Sequence, residues 1–89
     1  MIPPYELHLT PDAKKDIRRL DSQIARRIMK KLLELAENVE KVEHYALKGE
    51  LKGLFRLRIG DYRAIYLLKH EERLMVVESI GHRSDIYDE

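Results

Sequence analysis

Arg56 and Arg58 stand two apart in the run Leu54-Phe55-Arg56-Leu57-Arg58-Ile59. Apolar and basic residues alternate there, so the run reads as a strand and both arginines leave one face. At a rise of about 3.3 Å per residue they start roughly 7 Å apart, close to the spacing of neighbouring phosphates on single-stranded RNA. A guanidinium offers a planar fork of donors that fits a phosphate bidentately. Arg63 follows the turn Gly60-Asp61-Tyr62, and Gly81-His82-Arg83 sits at the end of a last strand with Tyr87 four residues on. If the strands form a meander, Arg56, Arg58, Arg63, Arg83 and Tyr87 share one concave face. Such a set suits cleavage of a phosphodiester by RNA's own 2′-OH. That reaction needs a group to take the 2′ proton, cations for the charged phosphorane and a donor for the leaving 5′ oxygen, and it needs no metal. Each residue also has an ordinary reading: arginine pairs are common on solvated sheets, Tyr87 can cover a core edge, and His82 can be a solvated turn histidine.

Other chemistries find less support. His8, His44, His70 and His82 show no metal-ligand spacing, and there is no Cys. No Gly-rich phosphate loop or nucleophile elbow is present, and Ser22, Ser79 and Ser84 make no recognisable triad. No cofactor is implied. Charge is nearly balanced, with 17 Lys+Arg against 16 Asp+Glu, but unevenly spread. Lys48, Lys52, Arg56, Arg58 and Arg63 face only Glu50 and Asp61 between them, and the chain turns acidic after His70. A basic middle suits a localised polyanion site, and an ordinary solvated surface would look much the same.

The elements that must position these residues follow from periodicity. Tyr5 to Leu9 alternates and predicts a strand. Thr10-Pro11-Asp12 opens a helix, with Thr as cap and Pro in the first turn. Asp21-Ser22 breaks and recaps the chain, and a second helix runs to about Glu37. Ile24, Ile28, Leu32 and Leu35 form its apolar stripe, widened by Ala25, Met29, Leu33 and Ala36. Asn38 to Leu47 reads as an irregular loop. Strands are then expected at Leu54–Ile59, Tyr62–Leu68 and Leu74–Ile80, with Gly81 ending the last. The sum is one α+β domain over residues 1–89: a strand, a helix hairpin lying on a sheet, and a three-stranded antiparallel meander (βααβββ). The start has no signal-peptide pattern, no apolar run approaches the roughly 20 residues of a membrane span, and the lack of Cys suits a reducing compartment, so a cytoplasmic protein is expected.

Leu47-Lys48-Gly49, the run from Leu54 through Arg63 to Tyr66, and Ile80-Gly81-His82-Arg83-Ser84-Asp85-Ile86-Tyr87 together resemble the signature of the RelE/ParE toxin superfamily. The resemblance spans nearly the whole chain. It implies a microbial RNase fold and the toxin of a type II toxin–antitoxin system. In the RelE branch such a toxin is an endoribonuclease that cuts mRNA in the ribosomal A site, without metal, and so inhibits translation. The ParE branch instead poisons DNA gyrase, and an inactive relative that only binds antitoxin is a third possibility. By position Arg56 and Arg58 match two basic residues that are often lysines in RelE. Arg63 matches the arginine that stabilises the transition state, Arg83 the proposed proton donor to the leaving oxygen, and Tyr87 the tyrosine that stacks on the substrate. The catalytic set expected from this is Arg58, Arg63, Arg83 and Tyr87. Lys48, Lys52, Arg56 and His82 are assigned to RNA contacts, the lysines to ribosomal RNA. Arginine is practically always protonated, so at both second-strand positions it can neutralise charge but is a poor proton shuttle. A cognate antitoxin is the expected protein partner, wrapping a disordered segment over the apolar and basic surface and folding as it binds.

Overall fold

Thr10 opens the first helix as its type requires. In a computed structural model, which describes residues 3–86, its Oγ1 accepts the Ala13 N–H at 3.1 Å at the head of α1 (Pro11–Arg18). The same hydroxyl donates to the Glu78 carbonyl at 3.0 Å, which ties the helix start to the sheet. Asp21 caps α2 (Ser22–Glu37) by accepting the Gln23 N–H. On α2 the buried stripe is Ile28, Leu32, Leu35 and Ala36. Leu33, expected to widen it, is half exposed. It lies about 100° round the helix from Leu32, beyond the side that meets the sheet.

The sheet has five strands in the order β1-β5-β4-β3-β2. They are β1 (Glu6–Leu9), β2 (Tyr45–Ala46), β3 (Phe55–Ile59), β4 (Tyr62–Lys69) and β5 (Leu74–His82). β3, β4 and β5 form the expected antiparallel meander, and β1 joins its far side parallel to β5. Two expectations are corrected. The segment taken as an irregular loop holds a 3-10 turn at Val39–Lys41 and the two-residue strand β2, which pairs with Phe55 and Arg56. Gly81 does not end the last strand; β5 continues to His82, pairing Gly81 with Arg63 and His82 with Tyr62. A Cβ at Gly81 would stand 3.1 Å from the Ile86 side chain, a tight contact that glycine avoids.

Both helices cover one face of the sheet. Ala13, Ile28, Leu32 and Ala36 meet Ile59, Ala64, Tyr66, Met75, Val77 and Ile80 in one core, with Phe55 and Leu57 packed against it. The Tyr66 phenol is buried and donates to His44 Nδ1, while His44 Nε2 donates to the Val39 carbonyl at 2.7 Å, which fixes the tautomer. Burial pushes the Tyr66 phenol above its usual range.

The β3–β4 turn is the two-residue loop Gly60-Asp61, with φ of 59° at Gly60. A positive φ at the first central position alone fits a type II′ hairpin. A Cβ at Gly60 would stand 3.0 Å from an Arg27 guanidinium nitrogen. Gly60→Ala is expected to cost about 1–2 kcal/mol, the strain of a left-handed residue carrying a side chain. Urea unfolding measures this, and a loss below a few tenths of a kcal/mol would mean that the turn has relaxed into another form.

Candidate nucleic-acid interface

The helices do not cover the other face of the sheet, whose middle is nonetheless buried at Arg63 and Ile65, and the pairing register sets its side chains in rows. Because Phe55, Leu57 and Ile59 turn to the core, Arg56 and Arg58 turn away from it. Arg58 pairs with Arg63 across β3 and β4, and Arg63 pairs with Gly81 on β5, giving one row across the face. The next row is Tyr45, Arg56, Ile65 and Ser79. Directly opposite residues have Cβ atoms about 4.5–5.5 Å apart, and two like charges there destabilise a sheet. An Arg58–Arg63 pair is therefore poor for folding and good for holding an anion.

The two arginines differ in reach. Arg58 is exposed. Arg63 is 6% exposed, and its Nη1 donates to the Gly60 and Tyr62 carbonyls at 3.0 and 2.9 Å, so it braces the hairpin and brings charge from beneath. Arg83 joins them from the chain beyond β5: its backbone N–H donates to the Asp61 carbonyl at 2.7 Å, and its Nε lies 4.0 Å from Asp61 Oδ1. Both side chains of that ion pair are mostly exposed, so it holds Arg83 loosely. Arg58, Arg63 and Arg83 thus gather around the Gly60-Asp61 turn. The Arg56 guanidinium carbon sits 4.0 Å from the centre of the Tyr45 ring.

The lysines lie further along. Lys48 and Lys52 flank the 3-10 turn Gly49–Leu51 and are exposed. Their loop borders the open face, since Leu51 and Leu54 line a cavity of about 400 Å³ with Ile65, Glu78, Ser79, Asp85 and Ile86. Glu78 reaches it through a β-bulge: Ile65 pairs with Ser79 and Tyr66 with Val77, leaving Glu78 as the extra residue. His82 does not join the arginines. The register turns it to the helix side, where its ring stands edge-on to Tyr62 at 5.5 Å. There it lines a separate cavity with Asp16, Arg19 and Leu20. Its Nδ1 accepts the Ser84 N–H at 3.2 Å, which leaves the ring proton of the neutral form on Nε2. Tyr87 lies outside the described residues.

Sequence reasoning passed over Tyr45 and Glu78. Tyr45 gave one signal, a large aromatic in a polar stretch, and the Glu78 bulge gave none. Among the described residues, no cluster of three or more His, Asp or Glu side chains could hold a metal ion, and no helix is long and apolar enough to cross a membrane.

Comparison with known proteins gives one consistent family. Residues 7–87 match the family described as the ParE toxin of type II toxin-antitoxin system, parDE. Toxin RelG of Mycobacterium tuberculosis is 31% identical over 94% of this chain and 97% of its own length. Toxin RelE of the same organism is 29% identical over 94% of this chain and 87% of its own. The toxin–antitoxin complex RelBE2 of M. tuberculosis contains a chain that superposes with a TM-score of 0.84 at 28% identity, covering 96% of this chain and 98% of that one. The isolated RelE toxin of Escherichia coli superposes with a TM-score of 0.73 at 28% identity, covering 88% of this chain and 83% of that one. With the same helix pair on the same kind of sheet, the chain belongs to the ParE toxin family of type II toxin–antitoxin systems, within the RelE/ParE superfamily.

Proposed function

We propose that this toxin is of the RelE kind: a ribosome-dependent endoribonuclease that cuts mRNA without a metal and so stops translation. The observation that carries the reading is the cross-strand Arg58–Arg63 pair with Arg83 at the same turn. In the reaction the 2′-OH loses its proton and its oxygen attacks the adjacent phosphorus, the 5′ oxygen leaves and takes up a proton from solvent, and a cyclic phosphate and a free 5′-hydroxyl result. Negative charge grows on the phosphoryl oxygens, where Arg58 and Arg63 neutralise it. Arg83 hydrogen-bonds the leaving oxygen and lowers its need for a proton. Tyr87 stacks on the substrate base and helps to orient the 2′-OH. Lys48 and Lys52 contact ribosomal RNA. Because arginines shuttle protons poorly, the ribosome or solvent handles the 2′ proton, and naked RNA is cut slowly. A cognate antitoxin covers this surface in a cytoplasmic complex; the M. tuberculosis relative RelBE2 is itself solved as a toxin–antitoxin complex.

A second reading has one observation behind it, the match to a family named for ParE. A gyrase poison would use the exposed basic face of α2, where Arg26, Arg27, Lys30 and Lys31 lie, and would not need the open sheet. Purified protein mixed with programmed ribosomes separates the two. Primer extension is expected to show cleavage in the A site, with little on the same mRNA free in solution. Intact mRNA together with inhibited DNA gyrase would replace the first reading by the second.

A further inference from the structure

Three large apolar side chains among the described residues stand about half exposed: Leu33, Val42 and Tyr45. Leu33 lies on α2 and Val42 in a loop, but Tyr45 belongs to the sheet. It forms half of β2, a strand of two residues at the sheet edge, and pairs directly with Arg56. Side chains facing each other across strands share a face, so Tyr45 stands on the arginine side. The Arg56 guanidinium lies over its ring at 4.0 Å, covering one side of it, while 52% of the residue remains exposed. An aromatic ring held by a cation, and open on the far side, is what a nucleobase needs for stacking.

The rows give the ring its partner. Tyr45 and Arg56 lie one row from Arg58 and Arg63, about 7 Å along the strands. A single strand of RNA carries phosphates along one track and bases along another. With a phosphate at Arg58, a base falls beside Tyr45 and Arg56, the accessible end of that row, since Ile65 further along it is buried.

We infer that Tyr45 is a base-stacking residue: it holds one nucleobase of the RNA at the β2 edge, with Arg56 fixing the ring. The inference rests on the ribonuclease reading and adds a contact to it. Stacking on an aromatic is sequence-tolerant, so this site sets affinity and the path of the strand, and not codon choice.

The test uses a single-stranded RNA with 2′-O-methyl groups throughout, which cannot cleave itself. Tyr45→Ala is expected to weaken its binding roughly 5- to 100-fold, while Tyr45→Phe, which keeps the ring, binds as wild type does. The sequence contains no Trp, so Tyr45→Trp supplies a fluorophore at this position alone. Its emission is expected to be quenched as RNA binds. The same variants are compared for cleavage on programmed ribosomes, where Tyr45→Ala should raise the half-saturating concentration and Tyr45→Phe should not. Wild-type RNA activity with an unaffected Tyr45→Ala, or bound RNA with unquenched Trp emission, overturns the stacking role and leaves the ribonuclease reading standing. A Tyr45→Ala protein that loses affinity only for its antitoxin makes the ring a protein contact instead. Wild-type protein that neither binds the RNA nor cuts on ribosomes removes both readings together.

Discussion

On the proposed mechanism Arg83→Ala is expected to lower the rate of A-site cleavage by roughly 10²- to 10³-fold, the usual loss when one preorganised charge donor leaves a transition state. The fold should hardly notice. Arg83 is anchored through its backbone N–H to the Asp61 carbonyl, a bond that alanine keeps, and its side chain is mostly exposed with one long ion pair to Asp61. Unfolding free energy should therefore change by less than about 0.5 kcal/mol. Binding of uncleavable mRNA on the ribosome should weaken far less than the rate, because the leaving oxygen becomes strongly charged only during the reaction. Arg83→Lys keeps the charge but loses the planar fork, and should recover part of the rate. Single-turnover primer extension gives these rates. An Arg83→Ala protein within about threefold of wild type would remove Arg83 from the mechanism.

Leu32→Ala is expected to destabilise the toxin by about 2–5 kcal/mol, the range for deleting a large buried aliphatic side chain. Leu32 has no exposed surface and sits mid-helix in the core that joins α2 to the sheet. In a domain of this size each kcal/mol moves the midpoint by about 4–8 °C, so thermal unfolding followed by circular dichroism should show a fall of at least about 8 °C. Leu33→Ala, one residue on, should change it little, because Leu33 is 50% exposed. Equal losses at the two positions would mean that α2 does not pack as described. An antitoxin that binds only the folded toxin should raise the midpoint of the Leu32→Ala protein again.

What could be read from the sequence was what local physics decides. Thr10, Pro11 and Asp21 marked the helix starts because caps act within three residues. Phe55, Leu57 and Ile59 marked the core face of β3 because alternation has period two, and the same alternation set Arg56 and Arg58 opposite. The α+β class followed from the change of period. What stayed hidden depends on pairing between distant residues. β2 is too short for any periodicity and exists because Tyr45 and Ala46 pair with Arg56 and Phe55. Gly81 looked like a stop because glycine commonly ends strands, yet here it makes room for Ile86. The side taken by His82 depends on how far β5 runs, and the burial of Arg63 on the fold of the hairpin above it. The residue types of the arginine set were legible, and their rows needed the register.

The strand order decides how the sheet comes apart. β5 comes last in sequence among the described strands, yet it lies between β1 and β4 and provides backbone partners for both. Without Leu74–His82 in place, β1 has no neighbour and the Arg63–Gly81 end of the cationic row is incomplete. Loosening this one strand therefore frees β1 and β4 together, so opening of Leu74–His82 and loss of the whole sheet should coincide in hydrogen exchange. The parallel β1–β5 pair thus makes the last strand of the described residues a keystone that locks the first into the sheet.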